Sequence, residues 1–515
     1  MNPPLDRTDP GSVRAGFVAI GLTAIVIAGA VAMLFGPVVP MALTGDSYQW
    51  IQHAHLAAHQ PKFLLADLDT FYRPSTTWTL VADRLLWGGF TTHGYRVSSL
   101  ILHGLAALSL AAVGWRLGLG RAAATAVALV WVTSPFTDES ALVVAYRFQP
   151  LLLLSWMGLV AVWPRDDERW RTWRIAVAAA MVVAAAASKE SWIVTPALVA
   201  ALEYERRRSF RGALIPAALV GAAAALYVAL YFVAFPGSKS YFELGPHIIA
   251  KIPSQMAAFF YLEESVPVGP SVTWAGAVAT AVVIMIVAAC LRWRVPGTLV
   301  ALCVMVLPSV PTILVAYMPQ RYLAIPYAGF LLLIALWVSA LGRKYPRWRS
   351  SIRVVALAAV VIVIAAGAAI VRADIEDHRT MTAAHAQLLR EAGSVVAATL
   401  DGGLVAVVRD EQTSPLLELV DSLVGYPKFV FVRPHDPYGL IDAAALFEWV
   451  AAREGTRVEP FEGWATAGAA SGGVILVHRD GTFVNLGTTP RLEDEVKAWR
   501  DSGRSVRVIR ANRLD

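Results

Sequence analysis

Charged side chains are scarce in this 515-residue chain. Asp, Glu, Lys and Arg together make up 16% of the residues, against about a quarter in an ordinary soluble domain. So few charges cannot cover the surface of a soluble protein of this length. The mean hydropathy of +0.55 agrees with that conclusion. The composition therefore predicts a membrane protein.

Cysteine is almost absent as well. Cys290 and Cys303 both lie in apolar runs, which excludes a disulfide framework and a zinc site built from thiolates. No repeat with a period of about 20 to 50 residues is visible, so a helical-repeat architecture is not expected. We expect no cofactor, no metal site and no nucleic-acid partner.

Long uncharged runs, in contrast, are frequent. The first extends over 31 residues, 15–45, and the first ionisable group after it is Asp46. A secretory signal peptide has an apolar core of only about 7–15 residues, so this run is interpreted as a retained membrane span.

Eleven such runs predict eleven transmembrane helices, because a helix satisfies its own backbone in lipid. They are placed at residues 16–40, 97–115, 122–137, 148–163, 175–187, 191–203, 212–235, 271–291, 296–317, 322–341 and 354–371.

The distribution of basic residues predicts the orientation. With the N-terminus inside, the cytoplasmic segments hold 19 of the 28 Lys and Arg residues of residues 1–371, as the positive-inside rule requires. The weak point is 175–203, where Lys189 and Glu190 interrupt an apolar run. One long span there would place the basic segment RRRSFR outside, so two short helices are preferred. The odd number of spans then puts the C-terminus outside the inner (cytoplasmic) membrane.

The charge also predicts two domains. Residues 1–371 carry a net charge of +11, whereas residues 372–515 carry −5 and lack any long apolar run. In the second part, GGLVAVVRD, YPKFVFVRP, GGVILVHRDGTFVNLG and SVRVIR have the pattern of strands, and AALFEWVAAREG that of a helix. The predicted fold is an α-helical polytopic membrane body followed by a soluble, extracytoplasmic α/β domain.

The predicted outer loops collect ionisable residues near the ends of the spans. These are Asp46, Asp67, Asp69, Arg73, Asp138, Glu139, Arg147, Lys189, Glu190 and Arg321. In a compact bundle they can converge on one cavity. A carboxylate there can take a proton from a hydroxyl, and Arg or Lys can stabilise a departing phosphate. That chemistry suits sugar transfer from a lipid phosphate.

Several of these residues also have a purely structural interpretation. Asp46 can cap the helix predicted for SYQWIQHAH. Arg147 can pair with Asp138 or Glu139, and Lys189 can pair with Glu190. Arg321, with Tyr322, can anchor the membrane interface.

Two further features can be read as metal ligands. The "DLD" of residues 67–69 is similar to a metal-binding DxD, and three histidines, His53, His55 and His59, include an i,i+4 pair. Without matched acids, a solvated helix face is the preferred interpretation of the histidines. His103, inside the second span, is interpreted as a polar core residue.

Five motifs in order resemble a known family. They are "YRP" at 72–74, "GYRVSSLILHGLAAL" at 94–108, "TSPFTDESALVVAYR" at 133–147, "SKES" at 188–191 with Pro196, and "QRYLAIPYAGFLLL" at 320–333. Together with Asp46 they resemble bacterial relatives of the TMTC-type protein O-mannosyltransferases, within the GT-C superfamily of polyprenyl-phosphate-sugar glycosyltransferases.

The resemblance implies an inverting transfer at the outer membrane face, without a metal, from a polyprenyl-phosphate-linked sugar. It makes Asp46 the candidate catalytic base and Glu139 the acid of the second outer loop. It also places Arg147, Lys189 and Arg321 near the donor phosphate. Arg73, Glu190 and Tyr322 are expected to bind substrate, with Asp67, Asp69, Asp138 and His103 as further candidates.

The acceptor is expected to be a hydroxyl of a cell-envelope glycan, lipid or protein. The alternative function is a flippase for lipid-linked sugars. Transporters place ionisable groups near the bilayer midplane and show internal repeats, whereas the charges here lie at one face, so transfer is favoured.

Overall fold

The protein is described here by a computed structural model. It describes residues 10–43, 47–65, 72–88, 92–165, 168–234, 247–262, 273–313, 320–398, 404–409, 456–460, 473–479, 482–489, 492–502 and 505–513. Asp46, Asp67 and Asp69 lie outside these ranges, as do the strand predicted at 426–434 and the helix predicted at 444–455.

Helices dominate the described part of residues 1–398. In chain order they are α1 (Pro10–Phe35), α2 (Ser47–His59), α3 (Pro74–Trp87), α4 (Thr92–Arg116), α5 (Arg121–Val132), α6 (Asp138–Leu142), α7 (Phe148–Val162), α8 (Thr172–Ser188), α9 (Thr195–Arg207), α10 (Phe210–Ala234), α11 (His247–Phe259), α12 (Trp274–Arg292), α13 (Thr298–Val306), α14 (Ser309–Ile313), α15 (Ala324–Lys344) and α16 (Arg349–Ala398).

Seven helical stretches of the described chain are long and apolar enough to cross a membrane. They are Val18–Val38, Thr92–Arg116, Val144–Val162, Phe210–Leu230, Trp274–Arg292, Gln320–Lys344 and Pro346–Thr380. The other four predicted spans coincide with the shorter helices α5, α8, α9 and α13, so the total of eleven spans stays a prediction.

The interruption predicted at residues 189–190 is present. Helix α8 ends at Ser188, and Lys189 has an extended backbone with φ −159° and ψ 148°. A 3-10 turn over Glu190–Val194 follows, and Pro196 in the first turn of α9 restarts the α-helix. The consequence is that Lys189 lies at the junction of two helices and not within one.

Helices α3 and α11 are additions to the predicted elements. Helix α3 begins with Pro74 directly after Arg73 and ends at Trp87. Gly88 follows with a φ of 77°, the left-handed conformation common after helix C-termini. Because Pro74 fixes the start of the helix, the Arg73 backbone is held at its N-terminus.

Close packing positions the chain before α15. A methyl group added to Gly329 would lie 2.2 Å from the backbone nitrogen of Met305, so α15 and α13 cross with almost no side chain between them. The 3-10 turn Gln320–Leu323, which carries Arg321, leads directly into α15 and is therefore attached to a tightly packed helix.

Five strands are described near the C-terminus: β1 (Leu404–Arg409), β2 (Thr456–Pro460), β3 (Gly473–Arg479), β4 (Thr482–Thr489) and β5 (Ser505–Arg513). They form one sheet in the order β2-β5-β1-β3-β4, with β1 and β3 parallel and the other pairs antiparallel. Helix α17 (Leu492–Asp501) connects β4 to β5 in sequence. Four of these five strands lie in segments that the sequence predicts as strands: β1, β3, β4 and β5.

Helix α16 joins the two parts of the chain. It is 50 residues long and continues without a break through residue 371. The division predicted at 371/372 therefore falls inside a helix, and the separate α/β domain stays a prediction.

Candidate functional site

Three basic side chains from three separate segments alternate with aromatic rings. The Cζ atom of Arg73 lies 3.9 Å from the centre of the Phe148 ring, and Nζ of Lys189 lies 4.2 Å from that of Tyr322. The Cζ atom of Arg321 lies 4.1 Å from the centre of the Tyr146 ring.

Two longer contacts join these pairs into one series. Lys189 also lies 5.5 Å from Phe148, and Arg321 lies 5.5 Å from Tyr322. We call these six residues, Arg73, Phe148, Lys189, Tyr322, Arg321 and Tyr146, the cation–aromatic row. Aromatic faces stabilise cations that have lost much of their water.

A carboxylate neutralises each arginine of the row. Arg73 binds Glu190 through two hydrogen bonds, from Nε to Oε1 at 3.0 Å and from Nη2 to Oε2 at 3.1 Å. Arg321 donates from Nη1 to Oε2 of Glu139 at 2.6 Å. Glu190, considered from the sequence as the partner of Lys189, forms its ion pair with Arg73 instead.

Lys189, between the two arginines, is different. Its side chain is only 5% exposed, yet no described carboxylate lies within 4 Å of its ammonium group. Burial, and then the positive charge of Arg73, holds the pKa of Lys189 well below its ordinary value. With Lys189 protonated, the described side chains of the row and its two carboxylates carry three positive charges and two negative ones.

Two neighbouring atoms also have no described partner. Oε1 of Glu139 and Nε of Arg321 are buried, and neither has a hydrogen-bond partner in the described part of the protein. Buried polar groups are normally paired, so unpaired ones require an explanation. An acceptor, a donor and a cation at one place are what a small anionic ligand bearing hydroxyl groups would use.

Asp138 has a different environment from its neighbour Glu139. It is buried, accepts a hydrogen bond from the Glu139 backbone N–H at 2.5 Å, and is hydrogen-bonded to Asp374 of α16. Burial, followed by the negative charges of Asp374 and Glu139, raises the pKa of Asp138 well above its usual value. Two buried carboxyl groups in contact share a proton, so Asp138 is not available as a free carboxylate.

Arg147, predicted to contact the donor phosphate, has a different set of partners. Its Nη1 lies 2.5 Å from Oδ2 of Asp83 on α3, its Nε donates to Oγ of Ser99 at 2.8 Å, and Nη2 donates to the Tyr95 carbonyl. It does not pair with Asp138 or Glu139. Tyr146 and Phe148 are its neighbours in sequence, so Arg147 attaches the segment that carries these two members of the row to α3 and α4.

This ion pair predicts an asymmetric effect on stability. Asp83→Ala leaves a buried guanidinium that cannot lose its proton, and the expected cost is about 3–5 kcal/mol. Arg147→Met should cost less, because Asp83 can take up a proton; burial already raises its pKa. Thermal unfolding of the wild type and both variants in nanodiscs measures the two losses of stability. Glu376→Gln, which removes an exposed ion pair with Arg379, is the control and should change little. Equal losses for the two buried variants would contradict the argument.

The remaining candidates lie apart from the row. His103 is buried in α4, where its ring stacks on Trp131 at 4.9 Å and meets the edge of Phe35. His59 contacts Arg84 at 3.1 Å and lies 5.0 Å from His55, ring to ring. His53 was expected on a solvated helix face, but it is buried against Trp50 and Phe63. Among the described residues no three His, Cys, Asp or Glu side chains are grouped to hold a metal ion.

Arg96 is a residue that the sequence did not single out. It is fully buried at the start of α4 and donates to backbone carbonyls of two other segments. An arginine at the edge of an apolar run usually indicates an interface anchor, so the sequence gives no signal for this role.

Comparison with known proteins identifies the fold only. No protein-family model and no curated protein matches the sequence. The crystal structure of ArnT from Cupriavidus metallidurans bound to undecaprenyl phosphate is similar, with a TM-score of 0.50 and 12% identity, over 97% of this chain and 98% of that one. The apo structure of the same protein gives a TM-score of 0.44 and 14% identity over the same shares. The chain therefore has a helical fold similar to that of the ArnT structure bound to undecaprenyl phosphate.

Proposed function

We propose that the protein is a membrane glycosyltransferase that moves a sugar from a polyprenyl phosphate to a hydroxyl group. The carrying observation is Lys189, a buried amine between two arginines with no described carboxylate within 4 Å, in the same row as Arg321, whose partner Glu139 keeps one unpaired oxygen. The fold supports the proposal, because a protein of similar structure was crystallised with undecaprenyl phosphate.

The charges of the donor explain why a basic site suits it. A sugar-linked polyprenyl phosphate is a diester with one negative charge, and loss of the sugar leaves a monoester with two. A site that gains stabilisation as this charge develops favours the transition state over the bound donor. In this account Lys189 and Arg321 bind the phosphate. Arg73, whose charge is neutralised by Glu190, lies at the edge of the site.

The transfer itself needs a base. A carboxylate takes the proton of the acceptor hydroxyl as its oxygen attacks the anomeric carbon. The bond between that carbon and the phosphate oxygen breaks, and its electron pair leaves with the polyprenyl phosphate. A single displacement of this kind inverts the configuration. Asp46 is assigned as the base from the resemblance to TMTC-type enzymes. The unpaired Oε1 of Glu139 supports a role for that carboxylate in orienting the hydroxyl or sharing the proton.

The orientation of the protein follows from the same account. Every residue of the row lies at a helix end or in a 3-10 turn, and the loops at the opposite helix ends hold most of the basic residues. By the positive-inside rule the row then faces the outside of the inner membrane. The acceptor is a glycan, lipid or protein hydroxyl of the cell envelope, and the C-terminal α/β domain lies on the same side.

The pH dependence of donor binding tests this function. As the pH rises through the lowered pKa of Lys189, its ammonium group loses its proton and the affinity for undecaprenyl phosphate should fall. From neutral pH upward the phosphate monoester is itself mostly doubly ionised, since its second pKa is about 6. Lys189→Arg keeps the charge at every pH used and should retain binding into the alkaline range.

Binding of undecaprenyl phosphate to the purified protein in nanodiscs, measured from neutral to alkaline pH, gives this comparison. Parallel loss of affinity in the wild type and the Lys189→Arg variant would exclude Lys189 as the phosphate ligand. Absence of binding by the wild type at any pH would contradict the proposed function.

A further inference from the structure

The tripeptide Arg-Trp-Arg occurs three times in the chain, at residues 169–171, 292–294 and 347–349. The first copy lies directly before α8, the second at the end of α12 and the third at the start of α16. Arginine and tryptophan are both typical of the ends of membrane-spanning helices. The proposed transfer reaction uses none of the three copies.

The second and third copies lie close to each other. Nζ of Lys344, the last residue of α15, lies 4.3 Å from the centre of the Trp293 ring. Only three residues separate Lys344 from Arg347, a distance of at most about 10 Å, and α15 packs against both α12 and α16. We call the cations of this place the basic patch: Arg292, Arg294, Arg343, Lys344, Arg347, Arg349 and Arg353.

The basic patch is exposed and has no described acidic partner. All seven residues are exposed, and none has a carboxylate within 4 Å in the part of the chain that the structure describes. Glu205 of α9 reaches this end of the bundle, but its oxygens accept from the backbone N–H groups of Gly297 and Leu299, at 2.7 and 2.9 Å. Like charges gathered at one place attract an anion.

Helix stability accounts for only part of the patch. Arg292, Arg343 and Lys344 lie in the last turns of their helices, where a positive charge is favourable. Arg349, in contrast, is the first residue of α16, and the first turn of that helix has no acidic residue. A positive charge there is unfavourable for the helix, so a ligand outside the helix explains it better.

The surroundings of the patch indicate a lipid headgroup as that ligand. Directly after Arg353, helix α16 exposes Val354, Val355 and Leu357 by 67%, 68% and 65%, in a stretch apolar enough to cross a membrane. Trp348 is 63% exposed, as an indole at a membrane interface would be. The patch is therefore continuous with an apolar surface, and a phospholipid matches both with its charged head and its apolar chains.

Helix α15 separates the patch from the cation–aromatic row. Its 21 residues correspond to about 30 Å, the thickness of the hydrocarbon core of a bilayer. Arg321 lies in the turn before this helix, and Lys344 is its last residue. With the orientation proposed above, the row faces outward and the patch faces the cytoplasmic leaflet, whose surface is negatively charged.

We propose that the basic patch binds the phosphate groups of anionic phospholipids, with Trp293 and Trp348 at the level of the headgroups. Each cation next to the membrane contributes about a factor of five to the affinity for anionic lipid. The binding does not depend on the transfer reaction.

The first Arg-Trp-Arg copy lies outside this site. Asp166, Asp167 and Glu168 precede it directly and offset its charge. Its tryptophan, Trp170, packs edge-on against Trp163 with ring centres 4.8 Å apart. The same tripeptide without the patch is therefore available as a control within the chain.

Two matched double variants test the proposal. Arg347→Gln with Arg349→Gln removes two charges of the patch, and Arg169→Gln with Arg171→Gln removes two from the first copy. Phosphatidylglycerol or phosphatidylcholine with identical acyl chains is titrated into the delipidated full-length protein, and native mass spectrometry gives the dissociation constant of the first bound lipid. The wild type should prefer phosphatidylglycerol. The patch variant should lower that affinity roughly 25-fold and the control less than about threefold.

A fluorescence measurement locates the bound lipid. A fluorophore is attached to Ser350→Cys, beside the patch, or to Thr172→Cys, beside the first copy, in a chain with Cys290 and Cys303 replaced by Ala; both labelled positions are exposed. The nanodiscs contain phosphatidylglycerol or phosphatidylcholine with a nitroxide on the upper acyl chain, at equal mole fractions. Phosphatidylglycerol should quench the label at Ser350→Cys more strongly than phosphatidylcholine does, and the two should quench Thr172→Cys equally.

Three results would overturn the proposal. The first is equal affinity of the wild type for the two lipids, which an acidic protein partner in place of a lipid would also give. The second is an equal loss for the two double variants, and the third is equal quenching at Ser350→Cys. If the patch variant does not fold, Arg347→Gln alone should lower the affinity about fivefold. The titrations contain no undecaprenyl phosphate, so their outcome is separate from that of the proposed function.

Discussion

Asp46→Asn is expected to lower sugar transfer by roughly 100- to 10,000-fold, the range typical for loss of a general base. The amide has nearly the shape of the carboxylate but cannot accept the proton of the acceptor hydroxyl. Binding of undecaprenyl phosphate should change little, because the cations of the row are untouched. Transfer from a radiolabelled polyprenyl-phosphate sugar measures the first quantity, and binding in nanodiscs the second.

Two further variants serve as the control and the comparison for Asp46→Asn. Glu376→Gln, an exposed carboxylate of α16, is the control and should keep wild-type transfer. Glu139→Gln separates the two carboxylates: the one whose amide variant loses more activity is the base. Retention of about a tenth of the wild-type rate or more by Asp46→Asn would contradict its assignment. A flippase or a sensor would keep its activity with Asn at this position.

Lys189→Met is expected to weaken binding of undecaprenyl phosphate by roughly 10- to 150-fold. Hydrogen bonds that involve a charged group contribute about 1.5–3 kcal/mol, and each 1.4 kcal/mol is a factor of ten in affinity. Methionine keeps most of the apolar stem of lysine beside the Phe148 and Tyr322 rings, over which Nζ lies, so the change removes mainly the charge. Native mass spectrometry or a binding titration at fixed pH and salt gives the ratio.

The chain provides a matched control for this variant. Lys344, at the opposite end of α15, also lies over an aromatic ring, with Nζ 4.3 Å from the centre of the Trp293 ring. Lys344→Met removes the same charge from beside an aromatic ring, at an exposed position outside the row, and should leave the affinity nearly unchanged. Equal losses for the two variants would mean that the lipid responds to overall charge and not to a site at Lys189.

Helix positions were predictable where the sequence signal is local. Ten of the eleven apolar runs largely overlap a helix, and the break at Lys189 follows from two charges within an otherwise apolar segment. Helices α3 and α11 were not predicted because polar residues interrupt their apolar positions. Helix α11 buries Lys251 and Gln255 while Ile252 is exposed, which is not the pattern of a continuous apolar run.

The pairing of charges was less predictable, because partners in the folded protein are distant in sequence. Glu139 lies eight residues before Arg147 but binds Arg321, which is 182 positions further on. Arg147 binds Asp83, whose charge had no assigned role. Nearness in sequence favours the wrong partners here, since neighbouring loop residues point to different helices once the bundle has packed.

An experimental structure with undecaprenyl phosphate bound is the most direct test of the central claim, that charges from separate outer segments form one phosphate site next to a base. Phosphate oxygens should lie within about 2.7–3.2 Å of Nζ of Lys189 and Nε of Arg321, with the Asp46 carboxylate facing the same cavity. A phosphate bound away from these two side chains, or an Asp46 directed out of the cavity, would contradict the account.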